Sequence, residues 1–186
     1  MALTPSTMLP LATLAPAFTL PDTVSGKVVS LADLQSDQAT VVMFICNHCP
    51  YVIHIRDGLL QLARDYQARG VAFVAISSND AANYPDDAPD KMAALAKQLN
   101  FPFPYLYDET QAVARAYQAA CTPDFFVFDG AMKLAYRGQL DGSRPGNGKP
   151  VNGADMRAAL DALLAGQGVR EDQVPSVGCG IKWKRA

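Results

Sequence analysis

The sequence predicts an α/β fold with a central mixed β-sheet flanked by helices, and three patterns in its 186 residues carry that expectation. Ala39 to Ile45 is a nearly continuous apolar run, the mark of a strand buried on both faces. Directly after it, Val52, Ile55, Leu59, Leu62 and Tyr66 recur at spacings of three and four, which gives a helix one buried face. Val71 to Ser77 is a second apolar, β-branched run, so the three segments make a β-α-β unit with parallel strands. Further on, Phe125 to Phe128 and Lys133 to Gly138 flank Asp129-Gly130, a hairpin signal that adds antiparallel strands to the same sheet.

The remaining elements follow in order. A Pro-rich leader (1–17) opens the chain, a core (18–165) follows, and a tail (166–186) without clear period closes it; the whole reads as one domain with no repeat or low-complexity block. Gly26 to Leu34 is a turn and a short strand, Lys27 to Leu31. Pro50 opens the long helix at a position that needs no N–H partner, and Gly70 ends it. Ser78 to Pro89 is a surface loop. Asp90 to Leu99 is a short helix burying Met92, Leu95, Ala96 and Leu99, stopped by Pro102 and Pro104. Tyr105 to Tyr107 is a short strand. Asp108 with Gln111 is expected to form a capping box before a helix lined by Val113, Ala114 and Tyr117. Asp141 to Gly153 is a Gly- and Pro-rich loop, after which Asn152 is expected to cap a helix through Ala165 that buries Met156, Leu160, Leu163 and Leu164. Trp183, in the tail, is expected to pack.

Composition narrows the function. A net charge of −2 and a pI near 5.6 give no electrostatic footprint for nucleic acid or an anionic membrane surface, so neither partner is expected. The apolar segment Met1 to Leu20 has no Lys or Arg before Lys27 and is broken by Pro5, Pro10 and Pro16, which fits neither a signal peptide nor a membrane span. A reducing cytoplasm is therefore the expected compartment, where paired cysteines are more often catalytic or metal-binding than permanent staples.

The chemistry concentrates in Cys46-Asn47-His48-Cys49, between the buried strand and the long helix. A sulfur at such an exposed helix start faces unsatisfied N–H groups and the positive dipole end, which favour thiolate over thiol. Cys46 is expected to be that thiolate and the nucleophile. Cys49, a turn further on, is expected to resolve whatever becomes bonded to Cys46 by forming the internal disulfide. His48 can place positive charge beside Cys46 and so tune the potential of the pair. The same spacing is compatible with half of a structural zinc site or with inert buried thiols, but the other cysteines, Cys121 and Cys179, each stand alone rather than as a second ligand pair. No metal and no organic cofactor is expected.

A strand, Cys-X-X-Cys-Pro, a helix, a second strand, then Thr122-Pro123 before a hairpin and a final helix together resemble the thioredoxin fold from about Phe18 to Ala165. The opening Ala15-Pro-Ala-Phe-Thr-Leu-Pro-Asp22, with Gly26-Lys27 and Ser30-Leu31, resembles the redoxin branch of alkyl hydroperoxide reductases and thiol-specific antioxidant proteins, which implies a redoxin-type N-terminal extension. Cys-Asn-His-Cys-Pro-Tyr-Val, the loop Ser143 to Pro150 and the ending Gly178 to Lys184 are similar to uncharacterised bacterial members of that superfamily. The resemblance implies that Pro123 is cis, that its loop lies against the two sulfurs, and that Thr122 and Pro123 bind substrate backbone.

Two departures limit what carries over. Peroxiredoxins place threonine three residues before the attacking cysteine, where this chain has Met43, which cannot donate a hydrogen bond to peroxide. Thioredoxins carry a buried Asp six residues before the first cysteine, where this chain has Thr40, so proton handling falls to water, His48, His54 or a carboxylate such as Glu109. Cys121 and Cys179 are candidate additional thiols, each also readable as a small buried apolar residue. His54 is expected to turn away from the sulfurs, and Arg144, Lys149, Lys182, Lys184 and Arg185 are expected to lie outside the site. The leading expectation is a thiol-disulfide oxidoreductase acting on a disulfide-bearing protein or small thiol, in an undetermined oligomeric state. A thiol peroxidase and a copper or zinc binder using Cys46, Cys49 and a histidine or Cys121 are the alternatives.

Overall fold

The computed structural model describes residues 3–185. Its elements run β1 (Leu3–Pro5), β2 (Thr19–Pro21), β3 (Val28–Ser30), α1 (Leu31–Leu34), β4 (Ala39–Phe44), α2 (Pro50–Gln67), β5 (Val71–Ser77), a 3-10 turn (Pro85–Asp87), α3 (Pro89–Gln98), β6 (Tyr105–Tyr107), α4 (Ala112–Ala116), β7 (Cys121–Thr122), β8 (Asp124–Asp129), β9 (Leu134–Tyr136), α5 (Ala154–Leu164) and β10 (Val177–Gly180).

The main sheet has the order β6-β5-β4-β8-β9, with β4, β5 and β6 parallel and β8 and β9 antiparallel to their neighbours. This is the mixed sheet that the sequence predicts. Because side chains alternate along a strand, β4 divides the core in two. Val41 and Met43 face Val52, Ile55, Leu59 and Leu62 of α2, Met92 of α3 and Leu160 of α5. Val42 and Phe44 face Phe18, Leu31 and Tyr117 on the other side. There Tyr117 meets Phe126 edge-on, with centroids 5.3 Å apart, and its hydroxyl donates to the Pro16 carbonyl.

Several local expectations are corrected. Asp108 and Gln111 form no capping box: Gln111 is itself the residue before α4, with φ of +63°, and its amide donates to the carbonyls of Ser78 and Lys182 instead. Asp108 accepts from the Ala114 N–H and from Ser78. Gly153 rather than Asn152 is the residue directly before α5, with its N–H and that of Asn152 both taken by Asp141 Oδ2, while Asn152 Oδ1 still accepts the first helical N–H, of Ala154, at 3.0 Å. The β8-β9 turn carries its positive φ at Met132 rather than at Gly130, while Asp129 Oδ1 accepts from the Ala131 and Lys133 amides. Leu95, Leu99, Leu163 and Leu164 are half-buried at the ends of their helices. Trp183 is 38% exposed, with the Arg115 guanidinium 4.5 Å from its ring.

The largest difference lies at the termini. The leader strand β1 and the tail strand β10 pair antiparallel, and β10 pairs in turn with β7, so Cys179 lies opposite Thr122. Gly178 makes that approach possible: a Cβ there would stand 2.0 Å from the Thr122 carbonyl oxygen. The tail continues across the molecule, with Lys182 N–H donating to Asn79 and Lys184 N–H to Gln111.

Candidate active site

The loop from β4 to α2 presents both sulfurs to one residue. Cys46 Sγ lies 3.4 Å from the Thr122 hydroxyl, and Cys49 Sγ lies 3.1 Å from the Thr122 carbonyl oxygen. The Thr122–Pro123 peptide is cis, and Asp124 then starts β8 beside Phe44 of β4. The register of the central sheet thus brings residues 76 positions apart in sequence together at the end of two neighbouring strands.

The helix mouth lies at the second sulfur of the pair. Pro50 occupies the first turn of α2, which makes Cys49 the residue at the helix mouth. The neighbouring Cys46 thiol, followed by Cys179 and Thr122, favours the charged form of Cys49 and, against the opposing cost of burial, holds it well below the ordinary thiol range. Cys46 is pushed well above that range by sharing its proton with Cys49, by burial and by the nearby Asp87 carboxylate. The two sulfurs are coupled across one proton, and the direction of the shifts favours Cys49 over Cys46 as the thiolate.

The expected exposure is corrected. Cys46 is 2% exposed and Cys49 is fully buried. Beside the pair, Asn47 and His48 line an open groove of about 330 Å³ together with Asp86, Lys91, Leu95 and Gln98.

Asp87 organises this region. Its carboxylate, wholly buried, accepts from the Asn47 amide at 2.8 Å and from the Asn79 side chain at 2.7 Å, and it lies 2.7 Å from His48 Nδ1. The His48 ring stacks on Tyr84 at 5.7 Å, and the Tyr105 hydroxyl donates to Asn47 Oδ1. Sequence reasoning missed Asp87: it considered Glu109, which is exposed, and His54, whose Nε2 is instead 2.8 Å from Ser143 Oγ. Replacing this carboxylate by Asp87→Asn removes a negative charge from the surroundings of Cys46. The pH profile of Cys46 alkylation should then move to lower pH, with faster alkylation near neutral pH. An unmoved profile would show that the carboxylate does not act on this sulfur.

The other candidates separate clearly. Cys179 lies opposite Thr122 and in the same buried cluster as Cys49, and its thiol is pushed up to about 11, first by burial and then by its interaction with Cys49. Cys121 precedes Thr122 on the short strand; its thiol contacts the Pro123 carbonyl at 3.6 Å, and burial, with the Asp124 charge, raises it strongly. Arg144 is spent within its own loop, donating to the Asp141 and Ser143 carbonyls.

Ligand atoms of Cys46, His48 and Asp87 lie within 4.8 Å of one another. The 2.7 Å between His48 Nδ1 and Asp87 is nevertheless a hydrogen-bond spacing, shorter than the ~3.3 Å edge of a tetrahedral zinc site with ordinary bond lengths. An ion there would have to force the two apart.

Residues 11–137, which include the cysteine pair, its helix and the Thr122–Pro123 step, match the family model described as AhpC/TSA family. The chain belongs to the AhpC/TSA family. It is similar over its full length to an uncharacterized conserved protein from Geobacillus kaustophilus, with 59% identity, a TM-score of 0.98 and 98% of that chain covered. It is also similar over 98% of its length to a hypothetical protein from Sinorhizobium meliloti 1021, at 49% identity and a TM-score of 0.96, with that chain covered completely. The peroxidoxin BcpB of Mycobacterium tuberculosis shares the fold at a TM-score of 0.61 and 24% identity, over 85% of this chain and 98% of that one. No curated protein matches the sequence. This AhpC/TSA protein thus has the thioredoxin-like fold of redoxins, and the family supports a redox enzyme.

Proposed function

We propose that this protein is a thiol-disulfide oxidoreductase in which Cys46 meets the substrate and Cys49 resolves it. The observation that supports it best is the convergence of the two sulfurs on Thr122 at the mouth of α2, Cys46 at 3.4 Å from its hydroxyl and Cys49 at 3.1 Å from its carbonyl oxygen, where they can share one proton. The proton need move only from Cys46 to the Cys49 thiolate to make Cys46 nucleophilic. Cys46 then attacks one sulfur of a substrate disulfide, forming the mixed disulfide and expelling the other sulfur as a thiolate, which takes the proton back from Cys49. The Cys49 thiolate attacks the Cys46 sulfur, closing Cys46–Cys49 and releasing the second substrate thiolate. The substrate leaves reduced by two electrons. The substrate is a disulfide-bearing protein or small disulfide, met through the groove beside Asn47 and His48, and the compartment is the cytoplasm.

The test is to equilibrate the protein in defined thiol-disulfide buffers and quantify the Cys46–Cys49 linkage by peptide mapping. A single two-electron transition is expected, at a potential above the ~−270 mV of thioredoxin, because a stabilised thiolate favours the reduced form. Failure of the linkage to form would overturn the reading.

One observation favours a second reading, a thiol peroxidase. Cys46 is covered closely enough to admit a small oxidant more readily than a protein, and the Thr122 hydroxyl beside it supplies the donor that Met43 lacks. Attack on a hydroperoxide would give a Cys46 sulfenic acid and an alcohol or water, and Cys49 would then close the same disulfide with loss of water. Stopped-flow oxidation of reduced protein by hydroperoxide decides: a rate no faster than that of a free thiol removes this reading.

A further inference from the structure

We propose that Cys179 is a third redox thiol of this site, able to take Cys49 from the Cys46–Cys49 disulfide and so return Cys46 as a free thiolate. The inference rests on the oxidoreductase reading above and adds the fate of its disulfide. It starts from topology. The tail strand β10 is inserted between β1 and β7 with Cys179 opposite Thr122, the residue on which both active sulfurs converge. Gly178 and Gly180 flank Cys179, and the missing side chain at Gly178 is what lets β10 close on the Thr122 carbonyl. Cys179, 4% exposed, packs in the same cluster as Cys46 and Cys49, and it is paired with the residue whose carbonyl lies 3.1 Å from Cys49 Sγ.

The chemistry is an exchange without net oxidation. The Cys179 thiolate attacks the Cys49 sulfur of the closed pair, the Cys49–Cys179 bond forms, the Cys46–Cys49 bond breaks, and Cys46 leaves as a thiolate; the Cys179 proton goes to solvent or to Cys46. The state of the pair controls the step. In the reduced protein Cys179 is held as a thiol in part by the negative charge and hydrogen bonding of Cys49. Once Cys49 is tied into a disulfide it carries no charge, and those two influences disappear. Cys179 thus becomes more acidic when there is a disulfide for it to attack.

The test follows disulfides by acid quenching, alkylation and peptide mapping after treatment with diamide, an oxidant that accepts the two electrons and two protons of a dithiol. Wild type should yield Cys46–Cys49, with a Cys49–Cys179 fraction that grows on incubation at mildly alkaline pH. Cys46→Ser, checked for native circular dichroism, should yield the Cys49–Cys179 link within one chain, and Cys46→Ser/Cys179→Ala should lose it. The proposal is overturned if Cys49–Cys179 appears neither in Cys46→Ser nor in incubated wild type while Cys46–Cys49 forms normally. Absence of Cys46–Cys49 from wild type would instead sink the oxidoreductase reading. Should Cys46→Ser not fold, the wild-type incubation alone decides.

Discussion

Cys46→Ser is expected to lower disulfide-reductase turnover by at least roughly three orders of magnitude, since a hydroxyl cannot form the mixed disulfide on which the cycle depends. Cys49→Ser should stop the cycle one step later, leaving a covalent Cys46-substrate adduct that intact mass measurement detects at about one equivalent per chain. The two variants differ in electrostatics as well. With Cys49 gone, the proton on Cys46 is no longer shared with a thiolate and no neighbouring sulfur charge opposes ionisation, so Cys46 should alkylate faster than in the wild type. Cys179 should not rescue resolution in Cys49→Ser, because the sulfur it interacts with is that of Cys49. A Cys46→Ser protein with undiminished turnover, or a Cys49→Ser protein that cycles without accumulating an adduct, would remove the assigned roles.

The central frame is legible in the sequence because its signals are local. The run 39–45, the helical period after Pro50 and the run 71–77 appear as β4, α2 and β5 to within a few residues. The position of Cys49 at the helix mouth is legible too: proline favours the first helical position, which makes the residue before Pro50 the cap and shifts the favourable N–H groups from Cys46 to Cys49. What stays hidden is non-local. β1 and β10 are three and four residues long and exist only through each other and β7, a pairing between the two ends of the chain that no local period records. Asp87 sits in a loop rich in Asp and Pro, where nothing distinguishes it from Asp86 beside it. Only folding reveals that one carboxylate turns inward to Asn47, Asn79 and His48. The partnership of Cys179 and Cys49 is of the same kind, since it depends on a strand register and on the room left by a glycine.

Arg137→Met is expected to destabilise the fold by about 3–5 kcal/mol, the cost of leaving a buried charge without its partner. Arg137 and Asp124 are both fully buried and form a two-pronged ion pair; Arg137 also donates to the Phe125 carbonyl and lies 3.9 Å from the centre of the Phe126 ring. Asp124 in turn accepts from Ser6 and from the Ala120 amide, so its carboxylate ties the leader and the approach to β7 to the residue that follows Pro123. Methionine keeps much of the volume and supplies no charge, so the loss isolates the electrostatic role from a packing cavity. Urea denaturation should show the midpoint falling, and the thermal midpoint should drop by about 6–20 °C for a domain of this size. Pairing the change with Asp124→Asn removes the orphaned charge, so the double variant should be less destabilised than the two single losses added together. Strict additivity would mean that the pair does not act as a unit. Because Asp124 anchors the loop carrying Thr122, the single variant should also blunt the reactivity of the cysteine pair at temperatures where the fold persists, whereas a purely remote ion pair would leave that reactivity untouched.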